Sequence, residues 1–360
     1  MTLAQWSNLF VYAAMTMYAM AMVAFAASFA SSRAERGRVA AAAPVAAAVG
    51  GPSGSRSSVA AMAPPPGAGA QEELPPGRRA GNIGMALTWL AFGLLMAAIV
   101  VRALWAGRAP WGNMYEYSLA SAAAMTGVFL AVSVRRDVRW MGLLVTMASL
   151  ITLGVAILLL YNDSPQLVPA LKSYWLVIHV AAAIIAGGAF TVGAAATVLY
   201  LLADRAERDA LRVGAERVGA ERVGAQDDGG APAGGPADDT PDSLVSRIAA
   251  RVAVRVPDSQ TLDTLAYRVN AFVFPLWTFA VVAGAIWAED AWGRYWGWDP
   301  KETWAFITWL LYAGYLHARA TAGWRGRKAA VLGLVGFAAF LVNFFGVNLF
   351  VSGLHSYAGV

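Results

Sequence analysis

IGMALTWLAFGLLMAAIVVRALW, residues 83–105, carries a single charge, Arg102, in 23 positions. Coiled as an α-helix it would reach ~34 Å, enough to cross a hydrocarbon core of ~30 Å. A run this long and this apolar reads as a membrane-spanning helix, not as a strip of soluble core. Outward from it, seven further segments share its character, at about 7–30, 114–134, 140–161, 174–203, 269–290, 303–319 and 329–350. The composition agrees, being 58% hydrophobic and 14% charged, where a soluble domain carries about 25% charged residues. The expected fold class is all-α: a polytopic integral membrane protein with about eight transmembrane helices. The chain has no cysteine, which excludes disulfides, thiolate metal sites and a thiol nucleophile of its own.

Orientation follows from the basic residues. The loops around 31–82, 135–139, 204–268 and 319–328 hold all the lysines and arginines except Arg102, Arg108, Lys172, Arg294 and Lys301. The positive-inside rule puts the first set in the cytoplasm and both termini on the extracytoplasmic side, in the cell membrane. The same asymmetry accounts for the net charge of +5, so no nucleic-acid partner is expected. The first segment lacks a basic start and its arginines follow the apolar run, an anchor's order and not a cleavable signal's.

The expected organisation is a first transmembrane helix over 1–30, a disordered cytoplasmic loop over 31–82, helices two to five over 83–203, a cytoplasmic low-complexity linker over 204–268, and helices six to eight over 269–360. The loop contains "AAAAPVAAAVGGPSG", and the linker contains the repeat "RVGAERVGAERVGAQ" and a Gly/Pro/Asp tract. Neither carries recognisable chemistry.

Between the sixth and seventh segments lies an external loop, 287–304, containing "WGRYWGWDPKETW" (Trp292–Trp304). Its second half has a structural explanation. Asp299 at N-cap, Pro300 at N1 and Glu302 at N3 form a capping box that starts the seventh helix. Trp292, Trp296 and Trp298 are left over. One reading is an interfacial aromatic belt. The other rests on the dense, glycine-punctuated spacing and on Arg294 and Lys301 in the same loop. An aromatic wall edged by cations suits a flat, largely apolar ligand bearing carboxylates, and haem is such a ligand.

Haem needs axial ligands, most often histidine. Of three histidines, His179 follows "KSYW" at the outer end of the fifth segment and His355 lies in "SGLHSYA" beyond the eighth. Both share the face of the tryptophan loop. His317 is near the inner end of the seventh helix.

With these residues assembled, the chain resembles the WWD-domain proteins that handle haem, and in particular the CcsA/ResC family (named CcsB in some lineages) of the System II cytochrome c synthase. "PWGNMYEYS" and "NLFVSGLHSYA" add to the likeness; the low-complexity insertions depart from it. The resemblance implies delivery of haem b, as substrate, to the outer face and its thioether attachment to Cys-x-x-Cys-His motifs of apocytochrome c, together with a ResB-type membrane subunit. It implies haem-iron ligation by His179 and His355, transient ligation by His317, and a haem-binding loop of Trp292, Arg294, Trp296, Trp298 and Asp299. For His317 a second reading stands beside it, a helix-end histidine meeting headgroups or the last carbonyls. No catalytic acid or nucleophile is assigned: Glu116 and Glu302 are candidates, but such carboxylates more often cap helices or pair with cations. Two alternatives to haem attachment are a haem b electron-transfer subunit and a haem exporter without ligase activity.

Overall fold

A computed structural model describes residues 1–48, 76–162, 173–224 and 243–354, and among these residues no strand occurs. The long helices are α1 (Leu3–Ala48), α2 (Pro76–Ala106), α3 (Met114–Ser133), α4 (Gly142–Leu159), α5 (Tyr174–Gly224), α6 (Leu244–Ala253), α7 (Ser259–Trp292), α8 (Pro300–Ala320) and α9 (Arg327–Leu341). After α9 the chain passes through a π-helical turn, Val342–Gly346, into α10 (Val347–Phe350).

Among the described residues six helical stretches are long and apolar enough to cross a membrane, on α1, α2, α4, α5, α7 and the run from α9 to α10. The protein is an all-α polytopic membrane protein. The other two apolar segments form α3 and α8, of 20 and 21 residues. Their lower hydropathy has local causes. α8 opens with the charged pair Lys301–Glu302, and α3 is rich in alanine and serine because it is enclosed by α4 and α5.

That enclosure follows membrane packing rules, under which small residues bring backbones together and hydroxyls link helices. At Gly188 on α5 an added Cβ would lie 2.6 Å from the Ala124 carbonyl carbon and 2.8 Å from its oxygen on α3, backbone that cannot step aside. Tyr18 of α1 donates to Thr126 Oγ1 of α3 at 2.9 Å, and Thr126 shares a hydrogen bond with Ser149 of α4 at 3.1 Å. Phe190 of α5 stacks on Tyr312 of α8 at 4.0 Å, while Trp309 Nε1 of α8 donates to Thr278 Oγ1 of α7 at 2.9 Å.

Several helices run past their apolar segments, because backbone hydrogen bonding does not require apolar side chains. α1 continues to Ala48, and residues 49–75 of the expected loop lie outside the described residues. α5 continues to Gly224 and α6 occupies part of the expected linker, of which 225–242 lie outside. At this end Arg319 makes two bonds to Asp263, at 2.7 and 2.8 Å, and Glu207 accepts from the Ser259 N–H at 2.9 Å.

Candidate functional site

At the opposite end of α8 from Arg319, a cleft opens between α5, α7, the start of α8, the π-helical turn after α9 and the loop joining α2 to α3. Its empty space, counted out through the open mouth, is about 1160 Å³. Its wall is mostly apolar and aromatic, with Trp277, Trp287, Trp292 and Trp296 contributing indoles.

His179 lines this cleft from the first turns of α5. Its Nδ1 lies 2.7 Å from the Ala280 carbonyl oxygen on α7. A carbonyl only accepts, so Nδ1 carries the proton and the ring's lone pair sits on Nε2, the nitrogen a metal would take. The ring lies nearly parallel to Trp287, 10° between planes and 6.3 Å between centroids. Gly284 makes this placement possible, since a Cβ there would stand 2.7 Å from His179 Nδ1 and Cε1. Carbonyl, indole and glycine thus fix the imidazole in one tautomer and one plane.

The tryptophan loop is folded around a carboxylate. Glu302 Oε2 accepts from the N–H groups of Gly297, at 2.8 Å, and Asp299, at 3.1 Å, and its two oxygens lie 3.1 and 3.4 Å from Arg294 Nη1. Two backbone donors converging across one residue make an anion nest, and the residue between them is Trp298. Trp298 has φ 58°, the one positive φ among the described non-glycine residues, a conformation that persists only where its surroundings hold it. The expected capping box forms, with Asp299 as N-cap and Glu302 at N3. Asp299 does more: its Oδ1 accepts from the Leu354 N–H at 2.8 Å. This ties the residue before His355 to the tryptophan loop; His355 itself lies outside the described residues.

The α2–α3 loop repeats this design. Glu116, at N3 of α3, is fully buried and accepts from Gly112 N–H at 2.9 Å, Arg108 Nη1 at 2.7 Å and Arg102 Nε at 3.2 Å, while Asn113 is the N-cap. Arg108, Asn113 and Glu116 have the same spacing as Arg294, Asp299 and Glu302. Two walls of the cleft are therefore loops wound on a buried glutamate. Three buried atoms lining it, Trp111 Nε1, Asn113 Nδ2 and Asn343 Oδ1, have no hydrogen-bond partner among the described residues. Each such omission costs about 1–3 kcal/mol unless something else supplies the partner.

His179, Trp292 and Trp296 come together in the cleft, as does Lys301. Trp298 is not part of its lining and is 65% exposed, packing edge-on to Trp296 at 5.8 Å. Arg294 and Asp299 stand behind the loop as its supports. His317 is exposed near the far end of α8, with its carbonyl accepting from Thr321. Sequence reading passed over Trp111, Asn113, Gly284, Trp287 and Asn343 as site residues. The repeated Arg-x4-Asn/Asp-x2-Glu spacing was a signal for the first two.

The sequence profile described as "Cytochrome C assembly protein" matches residues 111–355, a range running from the first wall of the cleft to the histidine after Leu354. "Cytochrome c biogenesis protein CcsA" of Synechococcus elongatus (strain ATCC 33912 / PCC 7942 / FACHB-805) is 38% identical over 286 residues, covering 77% of this chain and 86% of that protein. The protein of the same name from Microcystis aeruginosa (strain NIES-843 / IAM M-2473) is 38% identical over 290 residues, covering 77% and 87%. That from Trieres chinensis is 35% identical over 267 residues, covering 73% and 82%. Among solved structures, "Cytochrome c Heme Lyase CcmF" superposes with a TM-score of 0.58 at 16% identity. The match covers 96% of this chain and 47% of that one, so the chain spans about half its length and the likeness is one of fold.

Proposed function

The chain belongs to the cytochrome c assembly protein family and serves cytochrome c biogenesis, and on that premise we propose that it holds haem b as substrate in the aromatic cleft, at the extracytoplasmic face of the cell membrane, and attaches it to apocytochrome c. The observation that carries this reading is His179, fixed by Ala280 in the tautomer that offers Nε2, in a cleft that Trp292 and Trp296 also line. The indoles suit a flat macrocycle, the imidazole suits its iron, and the unpartnered polar atoms suit its polar edge. His355 is the second axial ligand in this reading, with Asp299 positioning the chain just before it through Leu354.

The chemistry asked of the chain is positioning. Thioether formation adds a substrate thiol across a haem vinyl group: sulfur bonds one vinyl carbon and hydrogen goes to the other. Haem supplies the electronics; holding the vinyls beside the thiols is worth about 7–11 kcal/mol at best. Glu116 and Glu302 take no proton in this scheme, because both are committed to arginines and backbone N–H groups. A ResB-type membrane subunit is the partner. His317, exposed near the other end of α8, ~26 Å along the helix from Pro300, is a transient ligand where haem enters, alongside a histidine of that partner. With the partner present, His317→Ala should leave the outer site poorly loaded, and imidazole should refill it. An outer site fully loaded without imidazole would make His317 an ordinary helix-end residue.

The test is haem retention by the chain purified with its partner, read as Soret absorbance per protein. Wild type should carry haem. Trp296→Ala should lower retention several-fold, whereas Trp298→Ala should have the smaller effect, because its indole stands outside the cleft. An aromatic-belt role predicts unchanged haem for both, with altered insertion or yield. A haem-free wild-type complex would refute the reading.

A further inference from the structure

Near the cleft the chain carries four described cations, and three of them are engaged. Arg102 and Arg108 bond Glu116, and Arg294 bonds Glu302. Lys301 is different: it lines the cleft, makes no ion pair among the described residues, and its Nζ donates to the Asn343 backbone carbonyl at 3.3 Å. The nearby carboxylates are occupied. Glu302 serves Arg294 and two backbone N–H groups, and Asp299 accepts from the N–H groups of Lys301 and Leu354. Since a lysine ammonium has three donors, two of its N–H bonds remain for other acceptors. In the same lining, Trp111 Nε1 and Asn113 Nδ2 are buried donors without partners, and Asn113 is only 4% exposed. One orphan acceptor, Asn343 Oδ1, lies in the same lining and asks for a donor, while the cation and the two orphan donors call for a guest that accepts and carries negative charge. A carboxylate meets both conditions.

We infer that Lys301, with Trp111 Nε1 and Asn113 Nδ2, forms the subsite that binds the carboxylates of the substrate porphyrin. The inference rests on the haem reading of the cleft given above and adds which groups grip the polar edge. It assigns that task to Lys301 and the α2–α3 loop, leaving Arg294 to support the tryptophan loop. Burial pulls the Lys301 ammonium down to about 7, and a bound carboxylate would raise it again. The π-helical turn contributes by directing the Asn343 carbonyl at Lys301, which orients the ammonium.

The experiment titrates the full-length chain, purified with its partner, with iron protoporphyrin IX and separately with its dimethyl ester, following absorbance. Wild type should bind the free acid more tightly. Lys301→Met should weaken the free acid about tenfold and leave the ester unchanged, and Lys301→Arg should recover part of the difference. Trp111→Phe keeps the ring and removes only the N–H, so it should weaken the free acid alone, by a few-fold. Should Lys301→Met fail to fold, the Trp111→Phe comparison decides. Equal losses for acid and ester would reassign these residues to packing, and no loss for either would overturn the subsite. A wild-type complex that binds neither porphyrin fails differently: it refutes the haem reading itself, and the subsite with it.

Discussion

His179→Ala is expected to strip haem from the cleft and to stop maturation of c-type cytochromes, with added imidazole restoring both in part. The size of the effect follows from how the ring is held. Losing a partner that merely orients a metal ligand costs about 10–100-fold in affinity, and this substitution removes the ligand itself. Imidazole should fit because the variant leaves a hole of its own shape, lined by the Ala280 carbonyl and the Trp287 face. The same geometry separates a ligand from a packing residue. If His179 only filled space between α5 and α7, the variant would lose yield and imidazole would not help. Normal maturation in the His179→Ala strain would remove the axial assignment.

Glu116→Gln should be the most destabilising single change in the half of the bundle that holds the cleft. Glu116 is fully buried and ion-pairs with two arginines, Arg102 at 1% and Arg108 at 14% side-chain exposure. Removing one partner from a buried ionic group leaves uncompensated charge, at a cost of about 3–5 kcal/mol. Gln also keeps a single acceptor oxygen where Glu116 uses two, so Arg102, Arg108 and the Gly112 N–H can no longer all be satisfied, and the loop that carries Trp111 and Asn113 loosens. The expected result is reduced protein in the membrane, a lower unfolding temperature in detergent, and haem retention falling with it. A catalytic acid at this position predicts the reverse: a normally folded, haem-loaded protein that matures no cytochrome. Thermal unfolding and haem content measured on the same preparation tell the two apart.

The parts of this molecule legible in the sequence are those written in local order. Apolar runs gave the helices because a bilayer demands internally satisfied backbone over a fixed length. The Asp299–Glu302 capping box was legible because its four residues are consecutive, and it forms. Trp296 and Trp298, by contrast, are equivalent on paper. What separates them is the convergence of the Gly297 and Asp299 N–H groups on Glu302, which turns Trp298 away from the cleft. Contacts between distant segments leave no periodic trace: Asp299 to Leu354, Gly284 against His179, Lys301 to Asn343. The sequence offered Arg294 and Lys301 as equal cations, and only packing shows that one is paired and the other is not.

The central claim is that this chain attaches haem to protein, and the most direct measurement is the pyridine haemochrome spectrum of membranes from a strain lacking the chain. The account predicts that the covalent c-type signal disappears while the b-type signal persists. It also predicts that the wild-type chain restores the c-type signal and that His179→Ala restores it only with imidazole. A deletion strain that keeps its c-type haem and loses b-type haem would contradict the account and make the chain a haem b electron-transfer subunit instead.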